Sequence, residues 1–509
     1  PTGNPGAVSY DGNAAKLIIP SLRYTDGNTT TRYTVELSLI APSPMRFRVT
    51  RATPSDSSYI DSADAARVAA WLRTTAVADN ASSHFSVIGV QSFNSIGSRA
   101  ETVLRTQGPV AMYQDSAAVA DARSAISTKL ASVGPLLQAG GLTAFRDVQN
   151  LPWGMIEPAQ GTYNFTLMDQ LVQSYQAYGV DYVGVAMPFA SWDLATRPPA
   201  AATCNHFFNE DYLYLAAAGK MDRYVNVSAF ATMLQNAVER YDGDGVSDMS
   251  GLLRPVKYWQ IQNEPEGSAC GQFRNDAAAF VELMRRSYTA VKAACPSCQV
   301  LNGGAGLVDR TKAGGSFWWD YAALGGRAYI DIIASHFNDG KDPGVTDVGV
   351  FETSLSNVKD ALGSDKPIWI TEFGVSVNVP GGAFVSLTES QAAAWYTRFY
   401  AAGLNGGVKR FFSDASSFFT GQGRAVTRLL PYYTNKLLEA KLGGFSASTK
   451  LAAGQYRFTV QGASVYVLWT GVPAELSGAV TSYDIYGTET RGDAGSLRPS
   501  ESLPLIVVK

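Results

Sequence analysis

The sequence predicts an α/β chain: a (β/α)8 barrel, with an accessory β-sandwich built from the N- and C-terminal segments. Three observations carry this. Short apolar runs alternate with amphipathic helical patterns through the middle of the chain, eight such units can be counted, and both ends revert to the period-two alternation of strands. A length of 509 residues accommodates one large barrel with appendages, given about 150 residues for an ordinary domain.

Residues 1–60 read as β. Tyr33, Val35, Leu37 and Leu39 alternate with polar residues, and Phe47 and Val49 do so again. A helical connector is expected over 61–82, with Asp61 as its cap and Val68 and Leu72 one turn apart. The barrel is expected over 83–440, with strands at 85–91, 143–148, 181–187, 256–261, 299–302, 330–335, 367–371 and 408–412. Between them, Ile126, Leu130, Val133 and Leu137 follow helical spacing, as do Phe230, Leu234, Val238 and Tyr241. Asp276 precedes a stripe of Phe280, Leu283, Met284, Tyr288 and Val291; Thr388 with Gln391 reads as a capping box and Gly403 as a stop. An open doubly wound sheet is the alternative, but it would usually show a Gly-rich phosphate turn after its first strand, and Val90-Gln91-Ser92-Phe93 is not one. The segment 441–509 is β again, with Tyr456, Phe458 and Val460 alternating, and is expected to pack with the N-terminal one.

Composition narrows the function. With 41 basic and 44 acidic side chains the formal charge is −3, so the concentrated Lys and Arg of a nucleic-acid binder are missing. No stretch approaches the roughly 18 apolar residues of a membrane span, and Pro1-Thr2-Gly3-Asn4 opens no signal-peptide pattern. A soluble monomer is expected, with any signal peptide already absent. Four cysteines suit two disulfides and an oxidising compartment, secreted, periplasmic or extracellular. Cys295 with Cys298 would form a tight local bridge. Cys204 and Cys270 fall in the loops after strands three and four, neighbours on one face of a barrel, and would pin its wall.

Two carboxylates stand where chemistry is expected. Trp259-Gln260-Ile261-Gln262-Asn263-Glu264-Pro265 ends the fourth strand and Trp369-Ile370-Thr371-Glu372-Phe373-Gly374 the seventh. Strand C-termini line the reaction cavity of such barrels. Two glutamates facing each other there are what retaining glycoside hydrolysis needs, one attacking the anomeric carbon and one protonating the leaving oxygen, then deprotonating water. Each taken alone is equally consistent with a strand-end residue satisfied by a salt bridge; the pair, at the fourth and seventh strands of eight, is not. A general acid needs a raised pKa, which a neighbouring carboxylate at about 5 Å supplies, while Arg146 keeps the nucleophile charged.

These segments resemble the retaining clan-A glycoside hydrolases. The resemblance implies Glu264 as acid/base, Glu372 as nucleophile, Asn263 as donor to the substrate's 2-hydroxyl, and Arg146 as support of the nucleophile. Phe145-Arg146-Asp147, Trp153, Ile156-Glu157-Pro158, Gly161, Tyr163 and Phe165 are most similar to glycoside hydrolase family 39, which includes β-xylosidases and bacterial exopolysaccharide hydrolases. Over residues 84–440 it implies a carbohydrate substrate and no cofactor. Two positions depart from the pattern. His336-Phe337-Asn338 stands where many members have His followed two residues later by Tyr, and Phe411-Phe412-Ser413-Asp414 stands where a Trp platform is usual.

Further candidates are Trp153, Trp192, Trp259, Trp318 and Trp319, any of which could stack on sugar rings or fill the core, and His336 at the end of strand six. Glu157 and Glu266 are expected as solvated or salt-bridged groups at the rim. Asp242, Asp244 and Asp248 have the acidic spacing of a calcium loop without its distal Glu, and a helix-terminating turn is the stronger reading. The expected activity is retaining cleavage of β-glycosidic bonds in a poly- or oligosaccharide, with a groove for internal cleavage favoured by the long loops after strands two, three and four. The alternatives are an exo-acting β-xylosidase or arabinofuranosidase and a catalytically silent carbohydrate-binding barrel.

Overall fold

The computed structural model describes residues 9–11, 16–26, 29–42, 45–54, 85–88, 97–146, 153–194, 226–266, 273, 276–306, 308–312, 315–338, 346–378, 386–420 and 427–509. The expected connector 61–82 and its cap Asp61 lie outside them, as do Cys204 and Cys270. Strands β1 (Ser9–Asp11), β2 (Lys16–Asp26), β3 (Thr29–Pro42) and β4 (Met45–Pro54) form an antiparallel sheet in chain order. It contains the alternating run from Tyr33 to Leu39.

All eight expected barrel strands form. They are β5 (Phe85–Ile88), β6 (Ala144–Arg146), β7 (Asp181–Ala186), β8 (Tyr258–Ile261), β9 (Gln299–Leu301), β10 (Ile333–Asn338), β11 (Ile368–Gly374) and, beyond the short pair β12 (Ser376–Val377) and β13 (Ser386–Leu387), β14 (Val408–Asp414). The eight pair in parallel in the order β10-β11-β14-β5-β6-β7-β8-β9. The two ends of that series meet through parallel bridges, Leu301 with Ile332 and Ala305 with Ser335. There the Ala305 amide donates to Ala334 O and the His336 amide to Ala305 O, each at 2.9 Å. The sheet therefore closes on itself and leaves no free edge.

The crossovers carry helices α1 (Ser98–Gln114), α2 (Ser116–Ala139), α3 (Trp153–Ile156), α4 (Thr166–Ala177), α5 (Ser191–Leu194), α6 (Val227–Tyr241), α7 (Ala277–Ala294), α8 (Phe317–Ala323), α9 (Val348–Leu362) and α10 (Glu389–Asn405), and α11 (Ala415–Phe418) and α12 (Leu430–Leu442) follow β14. The α6 stripe of Phe230, Leu234, Val238 and Tyr241 is buried. Asp276 caps α7 by accepting from the Ala279 amide, and Thr388 and Gln391 form the capping box of α10. Gly403 is not the stop. The helix runs two residues further, and a Cβ at Gly403 would lie 2.6 Å from the Phe411 ring; the glycine lets α10 press onto β14.

Period-two alternation divides the barrel's inner face from its outer one. Ala144, Val183, Leu301, Ile332, Ala334, Trp369 and Phe412 form an apolar cluster of their own, with Tyr258 against it. This fills the barrel, and the outward residues of the same strands join the larger core under the helices.

The C-terminal segment is an antiparallel sheet of β17 (Ala447–Ala452), β18 (Gln455–Val460), β19 (Ala463–Leu468), β20 (Ala479–Tyr483), β21 (Glu489–Asp493) and β22 (Leu505–Val508), reached after the short pair β15 (Phe419–Thr420) and β16 (Thr427–Arg428). Its order is β17-β18-β19-β22-β20-β21. Tyr456, Phe458, Val465 and Val467 on one face belong to the main core, while Tyr466, Leu468 and Val507 on the other form a separate cluster. The N- and C-terminal segments are two separately hydrogen-bonded sheets. The N-terminal side chains lie outside the described set.

Candidate active site

Arg146 ends β6 and is fully buried. Its Nε donates to Gln260 Oε1 at 2.7 Å, Nη1 to Glu372 Oε1 at 3.2 Å and to Thr371 O at 3.1 Å, and Nη2 to Asn263 Oδ1 at 2.6 Å. One guanidinium therefore joins the ends of β6, β8 and β11. Such a fork suits planar, multi-acceptor binding, and a buried arginine needs every partner. Because Asn263 accepts through Oδ1, its amide nitrogen is left as a donor.

Glu264 is placed by unusual backbone. Gln262 and Glu264 both have positive φ, 66° and 47°, in the left-handed region that side-chain-bearing residues avoid, at a cost of about 1–3 kcal/mol each. The turn is held by Gln262 N–H to Ala186 O at 2.9 Å and Glu264 N–H to Gly303 O at 2.7 Å. It closes against the glycine-rich segment after β9, which sequence reasoning passed over. A Cβ on Gly304 would lie 2.1 Å from His336 Nε2, one on Gly303 2.8 Å from Pro265 Cδ, and one on Gly306 3.1 Å from Glu264 Oε1. The signal was present as Gly303-Gly304-Ala305-Gly306 directly after the fifth strand.

His336 Nδ1 lies 2.8 Å from Glu264 Oε1 and 3.6 Å from Glu372 Oε2. One ligand atom from each of the three residues falls within 4.8 Å of the others. The imidazole is buried and its Nε2 has no partner. In the neutral ring a proton there would be an unsatisfied buried donor, which favours the Nδ1–H tautomer; neutral or protonated, the ring donates from Nδ1 toward the carboxylates. The Glu264 side chain is 39% exposed and the Glu372 side chain 16%.

The Glu264 carboxyl departs from the raised value expected for an acid. Burial pushes it up, but the His336 hydrogen bond and the charges of His336 and Arg146 outweigh this and hold it below the usual carboxylate range. Asp414, at the end of β14, lies the other way. Burial and the charge of Glu372 lift it, against the Ser416 amide and hydroxyl.

Other candidates separate into core and surface. Trp153 is fully buried and its indole N–H is bonded to Glu157, so it offers no face to a sugar. Trp259 and Trp318 are likewise buried. Trp319 is in the helical layer, its N–H on Asp360 at 2.8 Å and its ring covered by Arg310. Trp192 is half-buried, with its edge toward Trp153 and its N–H on Glu157 O. Glu157 and Glu266 are not solvated: both are buried, accepting from the Gly161 and Gly306 amides. Asp242, Asp244 and Asp248 accept from amides of their own turn after α6, as a helix-terminating loop would. Cys295 and Cys298 are joined in a disulfide. Among the described residues no helix is long and apolar enough to cross a membrane.

No family model matches the sequence, and no curated protein does. Solved structures do. A family 39 glycoside hydrolase from the gut symbiont Bacteroides cellulosilyticus WH2 matches with a TM-score of 0.52 at 15% identity, covering 99% of this chain and 96% of its own. The chain shares the fold of that glycoside hydrolase. A monomeric β-xylosidase from Caulobacter crescentus CB15 matches at a TM-score of 0.48 and 13% identity, over 86% of this chain and 98% of its own. The fold assignment rests on the first.

Proposed function

We propose that the chain is a retaining glycoside hydrolase that cleaves β-glycosidic bonds in a poly- or oligosaccharide, related to family 39. The observation that carries this is the pair Glu264 and Glu372 with carboxylate oxygens within 4.8 Å. That spacing suits direct attack on the sugar, where roughly 5–5.5 Å separates the carboxyl groups; interposing a water needs about 6.5–9.5 Å. Glu372, ion-paired to the buried Arg146, is the nucleophile: its Oε attacks the anomeric carbon while the bond to the leaving oxygen breaks. Glu264 gives its proton to that oxygen. It then takes one from the water that displaces Glu372 and restores the original configuration. Asn263, held through Oδ1, turns its amide toward the hydroxyl beside the anomeric carbon.

The lowered carboxyl of Glu264 matches its second task, since a base must be ionised. For the first, substrate covering its exposed side strengthens the burial effect that already raises it. The Cys295–Cys298 bridge supports an oxidising, extracytoplasmic location. NMR of the first-formed product from an aryl β-glycoside tests the reading: retention is expected, and inversion would overturn it. Product chain lengths from plant and bacterial polysaccharides then separate internal from terminal cleavage.

A further inference from the structure

Asp414 is a carboxylate at the barrel mouth to which the two-step reaction gives no task. Its direction follows from β14. Arg410 stacks on Trp369 and Tyr258 inside the barrel, and Phe412 belongs to the interior cluster. Two residues further, the same alternation brings Asp414 to the inner face, at the level where the strands end. Beside it runs β11, with Phe373 in register with Ser413. A Cβ on Gly374 would lie 3.0 Å from the Asp414 Cβ, so only a bare backbone lets Asp414 stand this close to the strand that carries Glu372.

The carboxylate is also fixed. Its Oδ1 accepts from the Ser416 amide at 2.8 Å, and the next residue, Ser417, ties the turn to the residue after β11 by donating to Val375 O at 2.6 Å. Burial and the charge of Glu372 lift its carboxyl, which places it in the electrostatic reach of the nucleophile. An acceptor so fixed, one strand from the nucleophile proposed above, would face the sugar under attack. It offers a hydrogen bond where an apolar ring would offer a flat face, and it repels an anionic substituent.

Resting on the function proposed above, we propose that Asp414 is a specificity-determining residue that hydrogen-bonds a hydroxyl of the reacting sugar and selects neutral sugars against uronates. The test compares wild type, Asp414→Ala and Asp414→Asn on an aryl β-glycoside of a neutral sugar, its monodeoxy analogues and its uronate counterpart. Asp414→Ala is expected to lower kcat/KM about 10- to 100-fold on the parent, the effect of losing a hydrogen bond to a charged group. On one monodeoxy analogue the substitution should cost almost nothing more. Asp414→Asn keeps the acceptor for the Ser416 amide, so it carries the test if the alanine variant fails to fold. It should improve the uronate-to-neutral ratio about tenfold.

Equal losses on the parent and on every deoxy analogue, or no loss with an unchanged uronate ratio, would overturn the inference and leave the glycosidase reading intact. A wild type that turns over no glycoside would instead overturn the reading, and the inference with it.

Discussion

Two arginines occupy opposite ends of the same barrel interior. Arg146, at the end of β6, is fully buried and spends its guanidinium on Gln260, Asn263, Thr371 and Glu372. Arg410, near the start of β14, lies 4.7 Å from the Trp369 ring and 5.7 Å from the Tyr258 ring, and its Nη1 has no partner. Burial pulls the Arg410 guanidinium below its usual value. Above the apolar filling the barrel is wired by hydrogen bonds to a carboxylate, while below it the arginine is held by aromatic faces. One end holds its groups by directional hydrogen bonds, and the other by packing against rings. Substitutions should therefore separate activity from stability according to which end they touch.

The largest effect is expected from Glu372→Gln. Replacing the nucleophile should cut kcat by on the order of 10⁴-fold or more, as for other residues that form the covalent bond. The amide keeps the shape and can still accept from Arg146, so the thermal midpoint should move little. Steady-state kinetics beside a melting curve checks both; retained turnover would refute the assignment of the upper layer.

Arg146→Met should damage both properties. It takes from the Glu372 carboxylate its buried guanidinium partner and removes the donors to Gln260, Asn263 and Thr371. Breaking a buried pair from one side costs about 3–5 kcal/mol, measurable by urea unfolding, and kcat should fall with it. A variant that lost activity at full stability would show that the arginine acts on charge alone and not on the architecture of the strand ends.

A smaller effect, on pH dependence, is expected from His336→Asn. The general acid must carry a proton when the reaction starts, so kcat/KM should decline as pH rises through the Glu264 carboxyl in the free enzyme. That carboxyl is held low by the His336 hydrogen bond and charge and by Arg146, against burial. Removing His336 therefore raises it, and the declining limb should move to higher pH. Aryl glycosides with good leaving groups need no acid, so they should show little of the shift. A limb that stays in place would mean that Glu264 is not the titrating acid.

The two ends were not equally legible in the sequence. Glu264, Glu372 and Arg146 stand out because each lies at or just past the C-terminal end of an apolar strand, the end that lines the mouth of a barrel. The tryptophans were less readable: Trp153 and Trp319 sit near strand ends in sequence, yet an indole is as well used by the core, and neither offers a sugar-facing ring. Burial of that kind depends on which helix covers the strand, which spacing does not encode. The strained turn at Gln262 and Glu264 was hidden for the same reason. Its support comes from glycines about 40 residues later, a contact made only when the fifth strand lies beside the fourth. His336 and Glu264 were each visible, but the hydrogen bond between them was not.

Arg410→Met is expected to have the smallest effect and divides the two ends most cleanly. The arginine gains cation–π contact with two rings, about 0.5–2 kcal/mol, but it also carries the cost of a guanidinium whose Nη1 has no partner. Methionine is flexible, of similar length, and can lie between Trp369 and Tyr258 without a charge. Replacing buried charge by apolar volume is often neutral or stabilising, so the net change should stay within about 1 kcal/mol, with kcat unaltered. Urea unfolding and kinetics on one preparation decide it. If Arg410→Met lost activity as Arg146→Met does, the lower layer would be transmitting position to the carboxylates through β14, and the separation of the ends would fail.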